Sequence, residues 1–339
     1  MGTQGRPTVT PERLMQMAWG YAPPLIIEAA IRTGVFDRLD SGAKTVEEVA
    51  ASTGASVRGL RAIMNALVGF DLLRKEAGDR YALTPESEAF LVSTKHTFVG
   101  GFISHTSTQV LPPWLALTER VRTGDTGIGA NREQVGTEFF QKFVEDLFPL
   151  SYPVTQMLAT ELQIDHATAP VRVLDLAAGS GVWGIGLAQR SPQVRVTAVD
   201  WSGVIDITRK MAARFGAAGR FTFVAGDLES ADFGTGHNIA TLGHILHSEG
   251  ETRSRALLKK TFAALAPGGT IAIQEFLVND TRTGPPVALI FAVNMLVATD
   301  EGDTWSFNQI AGWLKEAGFE NPRTLDSPGP SPLILATRP

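Results

Sequence analysis

The clearest apolar pattern lies in the second half of the chain, where short runs rich in β-branched residues alternate with longer amphipathic stretches. Runs typical of buried strands occupy the ranges 171–176, 194–199, 221–225, 238–242 and 270–276. Helical stretches separate these five runs, and a last pair of strands is predicted near 322–326 and 333–337. Strands that alternate with helices are typical of a doubly wound α/β sheet. We therefore predict a seven-stranded sheet of this class.

The first half of the chain is mainly helical and contains one well-punctuated segment. Thr45 is placed to cap a helix that Gly54 ends, and a second helix opens at Ser56 or Val57. Two short strands follow, joined by a turn at 77–79. Helix, turn, helix and hairpin in this order predict a winged helix.

A winged helix on its own suggests DNA binding, with Arg58 and Arg61 on the second helix. The chain has 30 Lys and Arg against 35 Asp and Glu, a net charge of −5. This balance argues against a dedicated nucleic-acid or anionic-membrane surface. We expect no nucleic-acid partner.

Length and composition narrow the class of protein further. A chain of 339 residues is long enough for two domains. No run approaches the roughly 18 uncharged apolar residues of a membrane span, and the first residues lack the layout of a signal peptide. The absence of cysteine excludes disulfides, thiolate nucleophiles and Cys-based metal sites. We expect a cytoplasmic protein with no membrane partner.

Residues 14–39 are unusually apolar for a small winged domain to bury alone. They either cap the other domain or pack against a second copy of the chain, and the second arrangement predicts a homodimer. We divide the chain into a winged-helix dimerisation domain (1–108), a helical linker that roofs the substrate pocket (109–168) and a ligand-binding α/β domain (169–339).

A glycine-rich turn follows the first strand, in RVLDLAAGSGVWGIGLAQ (172–189). Gly179, Gly181 and Gly184 match G-x-G-x-x-G, a weak sign of a dinucleotide site. Asp175, at the end of the strand, favours a cationic ligand group over a pyrophosphate. An NAD(P) oxidoreductase is therefore the weaker interpretation, since a hydride-positioning pattern is also missing.

Acidic and aromatic residues follow the next two strands. Asp200 ends the second strand 19 positions after Gly181, a spacing that fits an acid gripping ribose hydroxyls. Trp201 is placed to lie against an adenine, and Asp227 to meet the adenine amino group. The predicted cofactor-binding set is Asp175, Gly179, Gly181, Asp200, Trp201, Asp227, Leu228 and His244.

This pattern resembles the class I S-adenosylmethionine (SAM)-dependent methyltransferases, whose Rossmann-like sheet has seven strands. SAM carries an ammonium and a sulfonium but no phosphate, which suits an acidic rim; its product is S-adenosylhomocysteine. With the winged helix included, nearly the whole chain resembles the plant-type and bacterial natural-product small-molecule O-methyltransferases of secondary metabolism. The resemblance implies that the winged helix forms a homodimer, does not touch DNA and contributes to the back wall of the partner's substrate pocket.

The resemblance also implies a catalytic histidine just after the fourth strand. His247, in TLGHILHSE, takes this position, and Glu275 matches a second family acid on strand five. Histidine titrates near pH 6.5 and can take the proton of a hydroxyl as it attacks a methyl group, while an acid holds its tautomer. The flanking residues differ from the family's His-Asp-Trp, and only Glu301 or Asp303 approximates a further family acid.

The substrate pocket and a metal site are less well defined. The predicted substrate-binding residues are His105, Trp114, Phe143, Met157, Asn294 and Met295. Each is of a type that also fills protein cores. His244 and His247 are three apart, as metal ligands on a helix can be, but without cysteine or an H-E-x-x-H pattern we predict no metal.

We predict SAM-dependent methyl transfer to a hydroxyl of a small aromatic or polyketide-like acceptor, with His247 as general base. The alternatives are a carbon or nitrogen acceptor and a winged-helix regulator that senses SAM without transferring methyl.

Overall fold

The computed structural model describes residues 9–125, 128–141 and 144–339. The chain divides into two compact units, Met1–Val110 and Leu111–Pro339. Among the described residues, no helix combines the length and the apolarity that crossing a bilayer requires.

The first unit is mainly helical. Its helices are α1 (Glu12–Ala18), α2 (Ala22–Arg32), α3 (Val35–Leu39), α4 (Val46–Thr53), α5 (Val57–Gly69), α6 (Pro85–Phe90) and α7 (Gly100–Ile103), followed by a π-helical turn at Thr106–Val110. Its two strands, β1 (Leu73–Glu76) and β2 (Arg80–Leu83), pair antiparallel. The order α4, α5, β1, β2 is the predicted helix–turn–helix and hairpin.

Local side-chain chemistry explains where α4 and α5 begin and end. The Thr45 hydroxyl accepts a hydrogen bond from the Glu48 amide, and the Glu48 carboxylate accepts one from the Thr45 amide at 2.7 Å, which forms a capping box. Gly54 ends α4 with a φ of 74°, and Ser56 caps α5 by accepting from the Gly59 amide at 3.0 Å. These predicted caps are confirmed.

Two surface features of this unit affect which partners it can bind: the ion pairs of Arg61 and the apolar side chains of α1. Arg61 pairs with Glu47 at 2.7 Å and with Asp79 at 3.5 Å, so acids of the same unit neutralise a cation of α5. No residue of α1 is buried, and Leu14 and Met17 on it are 69% and 60% exposed. The apolar side chains of α1 are thus available to another surface.

The second unit is an α/β domain. Its helices are α8 (Leu111–Trp114), α9 (Leu117–Thr123), α10 (Glu133–Gln141), α11 (Phe148–Glu161), α12 (Val182–Arg190), α13 (Ser202–Arg214), α14 (Leu246–Ala264), α15 (Pro286–Ala298) and α16 (Phe307–Ala317). Its strands are β3 (Val171–Leu176), β4 (Val194–Asp200), β5 (Phe221–Ala225), β6 (His237–Gly243), β7 (Leu265–Gln274), β8 (Leu277–Val278), β9 (Trp305–Ser306), β10 (Glu320–Leu325) and β11 (Leu333–Thr337).

Seven of these strands form one sheet in the order β10-β11-β7-β6-β3-β4-β5. The pairs among β3 to β7 are parallel, and β11 lies antiparallel on β7 and β10. The predicted fold class is therefore confirmed. The short parallel pair of β8 and β9 was not predicted, because two-residue strands carry no periodicity. Strand order reverses at β3, where open α/β sheets bind ligands beyond their carboxyl ends.

Apolar clusters cover both faces of this sheet. Val173 belongs to one cluster with Ile185 of α12, while its neighbour Leu174 belongs to the other with Leu258 of α14. Because successive residues of a strand point to opposite faces, a sheet covered on both sides needs continuous apolar runs. This explains why β3 was recognisable in the sequence.

Helix α12 can approach the sheet only because Gly184 has no side chain. A Cβ at Gly184 would lie 2.6 Å from Val196 Cγ1 and 2.9 Å from Phe221 Cζ. We predict that Gly184→Ala lowers the free energy of unfolding by about 1–3 kcal/mol, because the core must shift to admit the methyl group. Urea unfolding followed by circular dichroism measures this change.

Gly312, inside α16, is the matched control because a Cβ there would meet nothing within 4 Å. Gly312→Ala is expected to raise the free energy of unfolding by about 0.5–1 kcal/mol, since alanine restricts the unfolded chain. Equal shifts for the two variants would contradict the packing argument.

Candidate active site

The carboxyl ends of the parallel strands bring most of the predicted site residues to one edge of the sheet. Asp175 lies near the end of β3, Asp200 ends β4, and His244 follows β6 directly. Glu275 follows the last residue of β7. The predicted acids and histidines of the second unit thus lie at neighbouring strand ends.

The glycine-rich turn after β3 depends on its two central glycines. Gly179 and Gly181 have φ angles of 55° and 73°, a region that favours glycine. A Cβ at Gly179 would lie 2.9 Å from Val144 Cγ2, and one at Gly181 would lie 2.9 Å from Thr208 Cγ2. Both backbone conformation and space therefore require glycine at these positions.

Asp175 is completely buried below this turn. Its carboxylate accepts hydrogen bonds from the Gly184 amide at 2.9 Å and from the Thr241 hydroxyl at 2.8 Å. Burial raises the pKa of Asp175 to about 7, and the charge of Asp200 adds to this rise while the two hydrogen bonds oppose it. The prediction of a ligand-facing acid needs correction, because the side chain faces protein donors and ties β3 to α12 and β6.

Asp200 holds the turn from the next strand. Its carboxylate accepts hydrogen bonds from the Gly179 amide and from the Trp201 amide, both at 2.7 Å. Burial raises the pKa of Asp200 to about 6, although both amide bonds favour the ionised form. A carboxylate has about four acceptor positions, so about two remain for a ligand.

Trp201 and Asp227 lie side by side. The Trp201 Nε1 donates to an Asp227 oxygen at 3.3 Å, and the other Asp227 oxygen accepts from the Glu229 amide at 2.8 Å. Burial works to raise the pKa of Asp227, but these bonds and Arg253 outweigh it and hold the pKa below its usual value. Leu228, which we predicted beside them in the cofactor set, packs into the core cluster of Leu174.

A buried acid and imidazole occupy the other half of the edge. The Glu275 carboxylate accepts hydrogen bonds from His247 Nδ1 at 2.8 Å and from the His247 amide at 3.3 Å. Burial works to raise the pKa of Glu275, but the neighbouring imidazoles and both hydrogen bonds lower it below its ordinary value. An ionised carboxylate can only accept, so Nδ1 carries the hydrogen and Nε2 keeps a lone pair.

Aromatic rings surround this pair. Phe291 of α15 stands edge-on to the His247 ring with centroids 4.8 Å apart, and it stacks on Phe276 at 4.2 Å. His244 packs against Phe276 at 5.1 Å, and its ring centroid lies 6.0 Å from that of His247. Side-chain nitrogen or oxygen atoms of His244, His247 and Glu275 lie within 4.8 Å of one another.

The predicted substrate-binding residues are placed as follows. Trp114 Nε1 donates to Asn294 Oδ1 at 2.9 Å, and Asn294 is three positions after Phe291 on α15, on the same face. Met295 is buried, and Met157 packs against the core cluster of Val173. His105 lies in the first unit, while Phe143 is outside the described residues.

The two acids considered as an additional catalytic group are engaged elsewhere or exposed. The Asp303 carboxylate pairs with Arg282 at 2.9 Å, while its amide donates to the His247 carbonyl at 2.9 Å. Glu301 is exposed and packs against Gly250. Asp303 thus supports the backbone of His247.

Three residues of this site were missed from the sequence. Phe276 and Phe291 form the ring contacts near His247, and Thr241 binds the Asp175 carboxylate. Thr241 could have been suspected from its position in β6, beside β3. Phe291 could not, because α15 is apolar on nearly every side and has no periodicity that distinguishes one face.

Comparison with known proteins identifies the family. An O-methyltransferase domain profile matches residues 137–320, which is more than half of the chain, and an O-methyltransferase dimerisation domain profile matches residues 15–93. The chain belongs to the O-methyltransferase family. The predicted enzyme class, a methyltransferase that uses SAM, is confirmed.

Individual relatives resemble the chain over nearly its full length. The 3-hydroxy-5-methyl-1-naphthoate 3-O-methyltransferase of Streptomyces sahachiroi is 29% identical over 335 residues, which cover 97% of this chain and 95% of the relative. TcmO of Streptomyces glaucescens, a tetracenomycin polyketide synthesis 8-O-methyl transferase, is 26% identical over 338 residues and 97% of each chain. The crystal structure of human N-acetylserotonin methyltransferase in complex with SAM shares the fold, with a TM-score of 0.82, 23% identity and coverage of 100% of this chain and 99% of that one.

Proposed function

We propose that this methyltransferase acts on a hydroxyl group of a small aromatic molecule, with His247 as general base and Glu275 as the residue that orients it. The observation that carries the proposal is the buried hydrogen bond of 2.8 Å between Glu275 and His247 Nδ1, at the carboxyl edge of the sheet. A carboxylate buried beside an imidazole holds its tautomer and stabilises the imidazolium form after proton uptake.

The turn after β3 and the acids around it fit SAM. Asp200 retains about two acceptor positions for the ribose hydroxyls, and its neighbour Trp201 offers an aromatic surface for the adenine. Asp227, next to Trp201, is the acceptor for the adenine amino group. These carboxylates also favour a ligand that carries positive charge and no phosphate. SAM, when bound, supplies a methyl group on a cationic sulfur that needs no further activation.

His247 acts on the proton of the acceptor hydroxyl. Its Nδ1–H is held by Glu275, so Nε2 would accept the hydroxyl proton as the acceptor oxygen bonds to the methyl carbon and the bond from that carbon to sulfur breaks, with S-adenosylhomocysteine as the leaving group. The imidazolium that results is stabilised by the Glu275 carboxylate 2.8 Å away. Asp303, through its amide on the His247 carbonyl, keeps the start of α14 in position. Alignment of the acceptor oxygen with the methyl group supplies much of the remaining rate.

A flat aromatic acceptor suits the surroundings of His247. Phe291 and Phe276 present stacked rings beside it, and Asn294, which continues the same face of α15, accepts a hydrogen bond from Trp114 of α8. Aromatic walls with a few polar groups are typical of sites for flat apolar ligands. Two relatives support the proposal by their names, since one methylates a naphthoate and the other acts in polyketide synthesis.

We propose that the protein works as a homodimer through its first domain. The matched dimerisation profile covers residues 15–93, and the exposed apolar side chains of α1 support it. In this arrangement residues 1–108 form the dimerisation domain and contribute to the partner's pocket, residues 109–168 roof the pocket, and residues 169–339 bind SAM. His105 and Met157 remain predicted acceptor contacts.

The role of Asp200 predicts a pH dependence of cofactor affinity. Only the ionised carboxylate accepts both ribose hydroxyls, and its pKa is about 6. Affinity for S-adenosylhomocysteine should therefore be constant above about pH 7 and fall as the pH is lowered through 6. Asp200→Asn should bind about 10- to 100-fold more weakly at pH 8, the effect of losing charged hydrogen bonds. Calorimetric titration between pH 5 and 8 measures both.

At each pH, the ratio of the wild-type affinity to the Asp200→Asn affinity for S-adenosylhomocysteine removes the effect of the ligand's own titration. Asp175→Asn is the matched control, because Asp175 also titrates in this range but faces Gly184 and Thr241. This variant should keep the fall below pH 6. A wild-type profile parallel to that of Asp200→Asn would exclude Asp200 as the ribose ligand.

Removal of the His247 imidazole should abolish most of the turnover and leave the affinity for the cofactor unchanged. We predict that His247→Ala lowers kcat with 2-naphthol by about 10²- to 10⁴-fold, the usual contribution of a general base. Glu275→Gln should lower kcat by a smaller factor, since glutamine still accepts from Nδ1 but has no charge. Rates are measured by chromatography of the methylated product, whose attachment to oxygen, carbon or nitrogen is read by NMR.

Exposed His166 provides the control, and His166→Ala should leave the rate unchanged. Affinity for S-adenosylhomocysteine should change less than about threefold in all three variants. Wild-type rates in His247→Ala would rule out the base. A product methylated on carbon or nitrogen would replace the proposed hydroxyl acceptor by a carbon or nitrogen acceptor. Binding of the cofactor with no methylation of any acceptor would favour a regulator that senses SAM.

A further inference from the structure

His244 carries two unfavourable features that the proposed reaction does not explain. Its backbone has a φ of 58°, in the left-handed region that few residues other than glycine adopt. Its Nδ1 is buried and has no hydrogen-bond partner. Strain and unsatisfied polar atoms persist where a function requires them, and they concentrate at ligand sites.

The chemical state of His244 limits what it can bind. Burial lowers the pKa of His244 to about 4, and His247 adds to this fall while Glu275 opposes it. The ring is therefore neutral at pH 7, with one N–H donor and one nitrogen acceptor. Such a ring suits a hydroxyl or a carbonyl group.

The neighbours of His244 belong to the acceptor side of the site. Its ring packs on Phe276, which stacks on Phe291, and Phe291 in turn contacts His247. The four rings therefore form one contiguous aromatic group that includes the proposed base. The ring of His244 contacts Phe276 and His247, and we therefore weigh a role on the acceptor side against the cofactor contact predicted from the sequence.

We propose that His244 binds a second oxygen of the acceptor, on the ring carbon next to the reacting hydroxyl or in the peri position. The inference rests on the proposed function, because His247 marks where the reacting hydroxyl lies. Polar atoms of the two histidines are within 4.8 Å of each other, and ortho or peri oxygens lie close enough together to contact one histidine each. The substrate class is therefore an ortho- or peri-dioxygenated aromatic.

The same three side chains, His244, His247 and Glu275, have donor types that also bind divalent metals. However, the Glu275 carboxylate already accepts two hydrogen bonds from His247, and a metal would have to displace them. Of the three side chains, only His244 has a buried nitrogen without a hydrogen-bond partner, which favours an organic ligand with a single hydrogen-bonding group at this point.

A pair of acceptors that differ in one hydroxyl tests the inference. Binding of 2,3-dihydroxynaphthalene and of 2-naphthol is measured by calorimetry in the presence of S-adenosylhomocysteine, so that no turnover is needed. His244→Gly and His244→Asn are compared with the wild type, because glycine and asparagine both tolerate a positive φ. Glycine has no polar side chain, whereas asparagine retains one.

We expect the wild type to bind the diol about tenfold more tightly than 2-naphthol, a ratio equivalent to about 1.4 kcal/mol. His244→Gly should bind the two within about twofold of each other, and His244→Asn should recover part of the preference. Affinity for S-adenosylhomocysteine should be the same in all three proteins.

Several results would overturn the inference. In the wild type, these are no preference for the diol or no binding of either compound. In His244→Gly, they are an equal loss of affinity for the diol and 2-naphthol, or weaker binding of S-adenosylhomocysteine. Binding of Zn²⁺ by the wild type that His244→Gly loses would also overturn it. Methylation of 2-naphthol is assayed separately. If the preference is observed without any methyl transfer, the proposed function fails and only the binding of an aromatic hydroxyl by His244 stands. If methyl transfer is observed without the preference, the proposed function stands and the inference fails.

Discussion

The site depends on one buried carboxylate that has enough partners to remain charged. Isolated ionised carboxylates are very unfavourable in a protein interior. Glu275 avoids this penalty because the His247 ring and amide both donate to it. The arrangement requires that β7 end immediately before Glu275 and that α14 begin immediately before His247. The loop after α15 adds a bond to the His247 carbonyl, so several elements maintain one hydrogen bond of 2.8 Å.

A second group of carboxylates shapes the other half of the edge. Asp175 stabilises the turn from below, Asp200 holds it from the side, and Asp227 lies next to Trp201. Burial raises the pKa of the first two, but only Asp200 keeps acceptor positions for a ligand, so its charge is the one sensitive to what binds beside it. A cationic ligand would stabilise the ionised form of Asp200, which suits SAM.

The fold could be predicted almost completely from the sequence, because its signals are local. Thr45 and Gly54 have the chemistry of helix ends, and β3 is a continuous apolar run because both faces of the sheet are covered. His247 and Glu275 were predicted through a family resemblance in the residues after strands four and five, and the structure brings the two side chains together. In these cases the decisive information lies within a few neighbouring residues.

The remaining features depend on contacts between distant segments. The direction of the Asp175 side chain follows from Thr241, 66 residues later. The rings around His247 include Phe291, from a helix with no distinct apolar face. The strain and the unpartnered nitrogen of His244 are visible only in three dimensions, since a histidine near a helix start has no special sequence signature. Leu228, beside Asp227, has its side chain in the core, and its cofactor contact stays a prediction.

The central claim is that His247 removes the proton of the acceptor, and the acidity of the acceptor tests it most directly. Rates of methyl transfer would be measured for substituted phenols of graded pKa with the wild type and His247→Ala at one pH. An acidic phenol is already ionised and needs no base, whereas a phenol with a pKa near 10 does. The account predicts a large deficit of the variant for the least acidic phenols that disappears for the most acidic ones. The same deficit for every phenol would contradict it and leave His247 as a residue that only positions the acceptor.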